Sequence, residues 1–485
     1  MLIEVRLDPA AVELWQSHLV ARVAAMPGTG VRVVAAPGTA RTPRGLARLL
    51  ELERLISGGR PGGACESVAF ETLRPFATAS GLADLILDLT DAPASAATAP
   101  LLRLVCDGLP FGPGAADAVL ASRSPVFETV LDDGASAAVL SRWHPAVETP
   151  HHAAAALDML AGRAADMLAV EIRRLAAGRP VALGAAERPA HQSGSTSAFF
   201  LRALETRIAG RLARLLGRAP DWHVALRPRR GDGLPALGPE GFRRLADDGR
   251  RFYADPFLFE QGGETFLFVE EYPYATGRGI LSLSRLAVDG TPSHPVPILE
   301  GPDHLSYPFV FEAEGAIWMI PETSARRTVE LYRADPFPER WTFAATLIEG
   351  EDLADATLLR RDEGWWLFAA ERARWASSWD TLVLWRADRL QGPWRPHPAN
   401  PVLVDLTAAR PGGRILDIGG KLVRPAQDCA GGYGARLAFA AIEQLDETGF
   451  QQAVLTRAKP FGRNSGLHSY DRTNRFEVID LFGPR

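Results

Sequence analysis

Polar side chains in the second half of the chain have the types and spacing to handle a ligand. Asp255, Tyr307 and Asp355 hold matching places in three aligned segments, and Glu270, Glu322 and Glu371 follow them by 15, 15 and 16 residues. Lys421, Arg424, Gln427 and Asp428 form a fourth group, and His468 with Asp471 a fifth. Two cations beside carboxylates suit a substrate bearing phosphate or carboxylate, because both can donate charge-assisted hydrogen bonds to such oxygens. Lys421 and Lys459 are the only lysines of the chain, which makes a lysine in this company conspicuous. His468 offers either a neutral hydrogen bond or a proton relay.

Short hairpins must position these groups. Ala254–Glu260 and Thr265–Glu271 flank a Gly-Gly turn, Ser306–Glu312 and Ile317–Glu322 a Glu-Gly turn, and Ala354–Arg360 and Trp365–Glu371 an Asp-Glu-Gly turn. Third strands repeat too: Leu331–Phe337 ending at Trp341 matches Leu384–Leu390 ending at Trp394. A fourth hairpin runs from Lys421–Asp428 to Arg436–Glu443, and a fifth unit from Gly466–Asp471 to Phe476–Asp480. Five units of four short strands at a period near fifty residues predict a five-bladed β-propeller over residues 217–485. The isolated strand 222–227 is expected to pair with the last blade and close the ring, with 228–250 as linker or loop. Innermost strands line a propeller axis, so Asp255, Tyr307, Asp355, Lys421, Arg424, His468 and Asp471 are expected at its mouth, where charges converging on one axis suggest a ligand.

Residues 1–216 read differently. Strands at Leu2–Leu7, Val31–Ala35, Ala83–Thr90 and Leu101–Cys106 alternate with helical stretches at Ala10–Ala25 and Pro43–Ile56. Longer helices follow at His151–Ala177 and Ser197–Leu216. That alternation predicts an α/β, Rossmann-like domain with a mainly parallel sheet. At 485 residues two domains are the default, and a net charge of −5 offers no basic field for nucleic acid. Three distant cysteines form no metal pattern, and no Gly-x-Gly-x-x-Gly or Walker loop occurs, so no cofactor is expected. With no apolar run of membrane-spanning length and no secretory leader, the expectation is a cytoplasmic protein without a membrane span.

Each feature has a plainer reading. Asp-Pro often only starts a strand, and glutamates recurring at the strand ends are commonly architectural. Lys421 and Arg424 can pair with Asp417 and Asp428, and His468 can be a core histidine.

Tyr253-Ala-Asp-Pro-Phe257, the Arg-Ala-Asp third strand ending in Gly-Pro-Trp394, and His397–Pro401 resemble the five-bladed glycoside hydrolases, family 43 in particular. Arg251–Phe257, Tyr307–Glu312, Ile320–Thr323 and Arg424–Cys429 resemble more closely the N-terminal propeller domain of plant glucosamine inositolphosphorylceramide transferase and its bacterial relatives. The family 43 scheme implies inversion by a base, an acid and a carboxylate that tunes pKa values. By motif match Asp255 is the base and Asp355 the tuning carboxylate. The family's acid motif is missing, and Glu322, then Glu371, are the candidates. Trp375, with Trp379 nearby, is the expected stacking platform for a sugar. Residues 1–216 faintly resemble the formyltransferase domain that accompanies such propellers, without its Asn, His and Asp set, which implies scaffolding or partner binding.

The resemblance implies a carbohydrate-active protein, a glycosidase or glycosyl-transfer enzyme acting on an anionic or activated sugar in surface glycan or glycolipid synthesis or tailoring. The alternative is a non-catalytic glycan- or nucleotide-sugar-binding module that positions a separate glycosyltransferase.

Overall fold

The computed structural model describes residues 1–484 except 39–43, 58–61, 78, 93–97, 179–182, 184–193 and 216–219. Pro43, Leu216 and the expected domain boundary at 216/217 lie outside the described residues. Two compact units emerge: Met1–Gly210 with Ala373–Ser377, and Arg211–Arg372 with Ser378–Arg485.

In the first unit, β1 (Leu2–Leu7), α1 (Leu14–Ala24), β2 (Gly30–Ala35), α2 (Arg44–Ser57), β3 (Leu85–Asp88) and β4 (Leu101–Cys106) alternate as the pattern predicts. Next come β5 (Leu109–Pro110), α3 (Phe111–Leu120), β6 (Phe127–Asp132), β7 (Ala137–Trp143), α4 (Ala153–Ala176) and α5 (Thr196–Leu215). Strands β2-β1-β3-β4 are parallel, but β6 and β7 add antiparallel to the far edge. The sheet is therefore mixed rather than mainly parallel: the short Asp133–Ser136 turn joins β6 to β7 as a hairpin, and a hairpin can only be antiparallel. No helix among the described residues is long and apolar enough to cross a membrane.

The second unit is a five-bladed propeller of five separate sheets. Blade one holds β10 (Arg251–Gln261), β11 (Glu264–Pro273), β12 (Ile280–Leu286) and β13 (Val296–Leu299). Blade two holds β14 (Ser306–Ala313), β15 (Ala316–Thr323), β16 (Thr328–Ala334) and β17 (Trp341–Glu349). Blade three holds β18 (Leu353–Arg361), β19 (Gly364–Glu371), β20 (Thr381–Ala387) and β21 (Arg395–Pro396), with β22 (Leu403–Val404) beside β20. Blade four holds β23 (Leu416–Ile418), β24 (Lys421–Asp428), β25 (Arg436–Leu445) and β26 (Phe450–Ala458). Blade five joins β27 (Tyr470–Arg472) and β28 (Phe476–Gly483) to β8 (Asp221–Pro228) and β9 (Arg243–Arg244).

β8 pairs antiparallel with β28 along its length, from Asp221 opposite Gly483 to Pro228 opposite Phe476, so it closes the ring. The expected linker 228–250 carries that blade's last strand, β9. Aromatic residues fill the spaces between blades: Phe257, Phe309, Phe311, Trp318, Trp341, Trp365 and Trp394 belong to one buried cluster spanning blades one to three. Each fully buried phenylalanine contributes about 1.5–3 kcal/mol relative to an exposed one.

Blade four departs from the predicted order. Its innermost strand is β23, preceded by a bridge from Pro411 to Ala426, whereas the Lys421–Asp428 strand is second in the blade. The sequence shows its hairpin one strand further out than in the other blades.

Candidate functional site

The site begins with a backbone irregularity repeated in three blades. Pairing between first and second strands slips between Ala254 and Phe257, between Ser306 and Phe309, and between Ala354 and Thr357. At each bulge a non-glycine residue takes left-handed geometry: Asp255 at φ +47°, Tyr307 at +47° and Asp355 at +56°. That conformation costs an L-residue roughly 1–2 kcal/mol. Bulges commonly re-aim a side chain next to a functional site.

Acidic side chains hold the strained peptides. The backbone N–H of Asp255 donates to Asp480 Oδ2 at 3.0 Å, that of Asp355 to Glu322 Oε2 at 3.1 Å, and that of Tyr307 to Asp255 Oδ2 at 3.3 Å. In the first two cases the acceptor sits on the second strand of the preceding blade. By the same rule Tyr307 should donate to Glu270 on β11. Asp255 takes that role instead.

A cavity of about 210 Å³ opens here, lined by Asp255, Glu270, Glu322, Asp355, Arg410 and His468 among its charged groups. Trp222, Phe252, Tyr272 and Tyr433 give it aromatic walls, and Phe252 and Tyr272 stack with ring centroids 4.8 Å apart. This is below the roughly 300–1,000 Å³ of sites for drug-sized ligands and suits one sugar ring.

His468 Nε2 lies 3.0 Å from Asp255 Oδ1. Its Nδ1 lies 2.9 Å from Asp480 Oδ1 but off the line of a hydrogen bond, so that contact is electrostatic. Burial works against a charged imidazole, yet the Asp480 and Asp255 carboxylates override it and push His468 up to about 10. His468 is therefore an imidazolium, packed on Trp222 with centroids 4.0 Å apart. Gly434, at φ +57°, permits this: a β-carbon there would stand 2.5 Å from that of His468. Across the cavity Arg410 Nε donates to Asp355 Oδ2 at 2.7 Å, and Gln427 Nε2 donates to the same oxygen at 2.9 Å. Burial raises the Asp355 carboxyl and Arg410 opposes the shift.

Glu270 is the exception. It is 6% exposed, its carboxyl accepts no hydrogen bond from the described residues, and the imidazole of His304 stands nearby with Nε2 at 3.4 Å. Burial and then the neighbouring Asp255 carboxylate raise it well above the usual carboxylate range, which favours the neutral acid.

The structure brings Asp255, Asp355, Glu322 and His468 to one cavity and sends the other sequence candidates elsewhere. Tyr307 lies deeper, where its hydroxyl bonds Thr357 Oγ1 at 2.8 Å and accepts the Gly413 N–H. Asp471 is buried against Arg414 and accepts the Leu258 N–H. Asp428 faces Arg436 and Arg457. Gln427 supports Asp355 from behind. Arg424 is buried, donating to the carbonyls of Ala408 and Ala409, and burial lowers it to about 9. Lys421 is exposed at the β23–β24 turn. Neither cation lines the cavity: the Arg424 guanidinium is taken by the Ala408 and Ala409 carbonyls, and Lys421 stands in solvent at the turn. Glu371 ends β19 outside the cavity lining, and Trp375 groups with the N-terminal unit, its indole against His18.

Sequence reasoning took Glu270 only as one of the recurring strand-end glutamates, and missed Arg410, Asp480, His304, Trp222 and Tyr433 as site residues. For Arg410 a signal existed: Arg410-Pro-Gly-Gly-Arg414 directly precedes the short innermost strand. Asp255, His468 and Asp480 also place ligand atoms within 4.8 Å of one another, the one such group among the described residues. Ligating a cation there would require His468 to give up its proton.

Residues 245–475 match the family model for glucosamine inositolphosphorylceramide transferase 1, N-terminal. The transferase of that name from Oryza sativa subsp. japonica is 38% identical over 205 residues, 41% of this chain and 27% of the relative. That from Arabidopsis thaliana is 32% identical over 236 residues, 47% of this chain and 31% of the relative. The chain thus covers less than a third of either relative's length. Among solved structures, a family 117 glycoside hydrolase from Zobellia galactanivorans aligns at 14% identity and TM-score 0.36, covering 53% of this chain and 90% of that one. A family 43 enzyme from Xanthomonas citri complexed with xylose aligns at 12% and 0.36, covering 48% and 87%. The motifs around Asp255, Tyr307 and Arg424 thus mark a genuine kinship: over 245–475 this chain resembles the N-terminal region of glucosamine inositolphosphorylceramide transferase 1.

Proposed function

We propose that the propeller carries a carbohydrate site serving glycolipid synthesis, and that it recognises a sugar unit of its glycoconjugate ligand rather than hydrolysing it. One observation carries the reading: in a cavity of single-sugar size, the carboxylates a hydrolytic scheme needs are already engaged by the protein. Asp255 is bound by His468 and the Tyr307 N–H, Asp355 by Arg410 and Gln427, and Glu322 by the Asp355 N–H and Ser324 Oγ. The aromatic walls suit the apolar face of a pyranose. The relatives' name, a glucosamine inositolphosphorylceramide transferase, supports glycolipid synthesis as the setting. In this reading the protein positions a separate glycosyltransferase at a cytoplasmic stage of synthesis, and residues 1–216 scaffold or bind that partner.

A specific observation favours glycosyl processing as the second reading. Glu270 is an acid raised by burial beside Asp255, which is the relation of a general acid to a base. Calorimetry against a panel of monosaccharides, together with 4-nitrophenyl glycosides as reporters of cleavage, separates the two. Recognition predicts saturable binding that Asp255→Asn weakens, with no nitrophenol released. Release that falls roughly 10²–10⁴-fold in Asp255→Asn would establish catalysis instead.

A further inference from the structure

Helix α5 is apolar on two sides, and only one of them is covered. On the covered side Phe199 and Ala203 are buried, and Arg202 donates to the Leu120 carbonyl. On the other side Phe200, Leu201, Leu204, Ile208 and Leu212 remain between 44% and 57% exposed. At about 100° per residue these five fall within roughly one third of the helix circumference, so they form a single stripe. Among the described residues no other helix or strand exposes more than two large apolar side chains. A contiguous exposed apolar patch of this kind marks an interaction surface.

The charges along the stripe select its partner. Residues Thr196–Leu215 include four arginines and a single acid, Glu205. Arg207 and Arg211 are exposed, and the same angular step sets both on the Phe200–Leu204 margin. Glu205, also exposed, falls on the opposite margin beyond Leu201 and Leu212. An antiparallel two-fold pairing with a second copy brings like margins together and sets the arginines against their own images. A parallel pairing offers the two arginines only Glu205. An anionic lipid surface satisfies both features at once. Its acyl boundary takes the apolar stripe, and its phosphates take the guanidinium groups, whose stems lie along that boundary. The net charge of −5 opposes this only weakly, because at physiological salt charges beyond about 8 Å are screened.

We infer that α5 lies flat on an anionic bilayer surface, its apolar stripe below the headgroups and Arg207 and Arg211 among them. The helix lies outside residues 245–475, and the inference draws on neither the propeller cavity nor the recognition reading. The covered face, through Phe199 and Ala203, holds the helix formed before it meets lipid. Association therefore does not carry the entropic cost of folding it. Attachment is peripheral and reversible, since one stripe buries far less apolar surface than a spanning helix.

The test is co-sedimentation of the full chain with phosphatidylcholine vesicles, with and without phosphatidylglycerol. Affinity for the anionic vesicles should be at least about ten-fold the higher, and should fall as sodium chloride is raised. Ile208→Asp, at a site already half exposed, should weaken binding at least about ten-fold, the order one buried apolar side chain contributes. Arg207→Gln combined with Arg211→Gln should abolish the anionic preference. Val288→Asp adds the same charge at an exposed apolar position of the propeller and should change nothing. Circular dichroism checks that each variant folds. Failure to sediment with either vesicle, equal affinity for both, or binding that Ile208→Asp leaves intact overturns the inference. So does a dimer, seen by light scattering, that Ile208→Asp dissolves, since the stripe then belongs to a second copy. None of these outcomes touches the recognition reading.

Discussion

The junction between blades two and three and that between blades one and two use the same parts to different ends. In both, a second-strand glutamate sits beside the bulged residue of the next blade. Glu322 holds the Asp355 N–H and is a structural strut. At the other junction Asp255 takes the Tyr307 N–H, and the Glu270 carboxyl accepts no hydrogen bond from the described residues. One rerouted hydrogen bond thus separates a residue that keeps the ring together from one that can meet a ligand. A side chain's position in a repeat does not settle its role; what the neighbouring peptide needs does.

The sharpest attack on this contrast is Asp480→Ala. It leaves the His468 imidazolium with Asp255 as its one remaining carboxylate and the Asp255 N–H without its acceptor, and breaking a buried pair of this kind costs roughly 3–5 kcal/mol, read by urea unfolding. A second probe is pH. His468 has an ordinary value of 6.5 and is raised to about 10, so its stabilisation is full below 6.5 and lost as pH climbs through 10. The melting temperature should therefore fall between pH 7 and 9, below the range where Arg424, lowered to about 9, acts in the opposite sense. His468→Gln should flatten that fall. Glu322→Ala, which leaves one buried N–H without an acceptor, should cost about 1–3 kcal/mol by the same unfolding measurement. Glu270→Gln should be within about 0.5 kcal/mol of wild type or more stable, since it removes a buried ionisable group that supports no peptide. A loss for Glu270→Gln as large as for Glu322→Ala would erase the contrast.

Much of the propeller was legible in the residues themselves. Hairpins at Asp255, Tyr307 and Asp355 share a spacing to the following glutamates, and that spacing reflects two paired strands of constant length. The closing strand could be read because Trp222–Arg227 is an apolar run without a hairpin partner of its own. Blade four misled because β23 is only Leu416–Ile418, too short to show alternation, so the longer β24–β25 hairpin stood in for it. Lys421 and Arg424 inherited a place on the axis that belongs to the Arg410–Arg414 segment. Glu270 and Glu322 could not be told apart, because they differ only in which backbone N–H lies within reach, and no local pattern encodes that. Asp480 escaped notice because its partner His468 becomes its neighbour only when β27 and β28 curl together.

The strand β8 also redraws where the working module begins and ends. Kinship is detected over 245–475, but those limits exclude Asp221–Pro228 and the whole of β28. A fragment cut along the lines of resemblance would expose an unpaired sheet edge, an invitation to aggregate, and would carry away Trp222, Asp480 and with them the seat of the imidazolium. For anyone trimming this protein, heredity marks a smaller piece than the hydrogen-bond ladder requires.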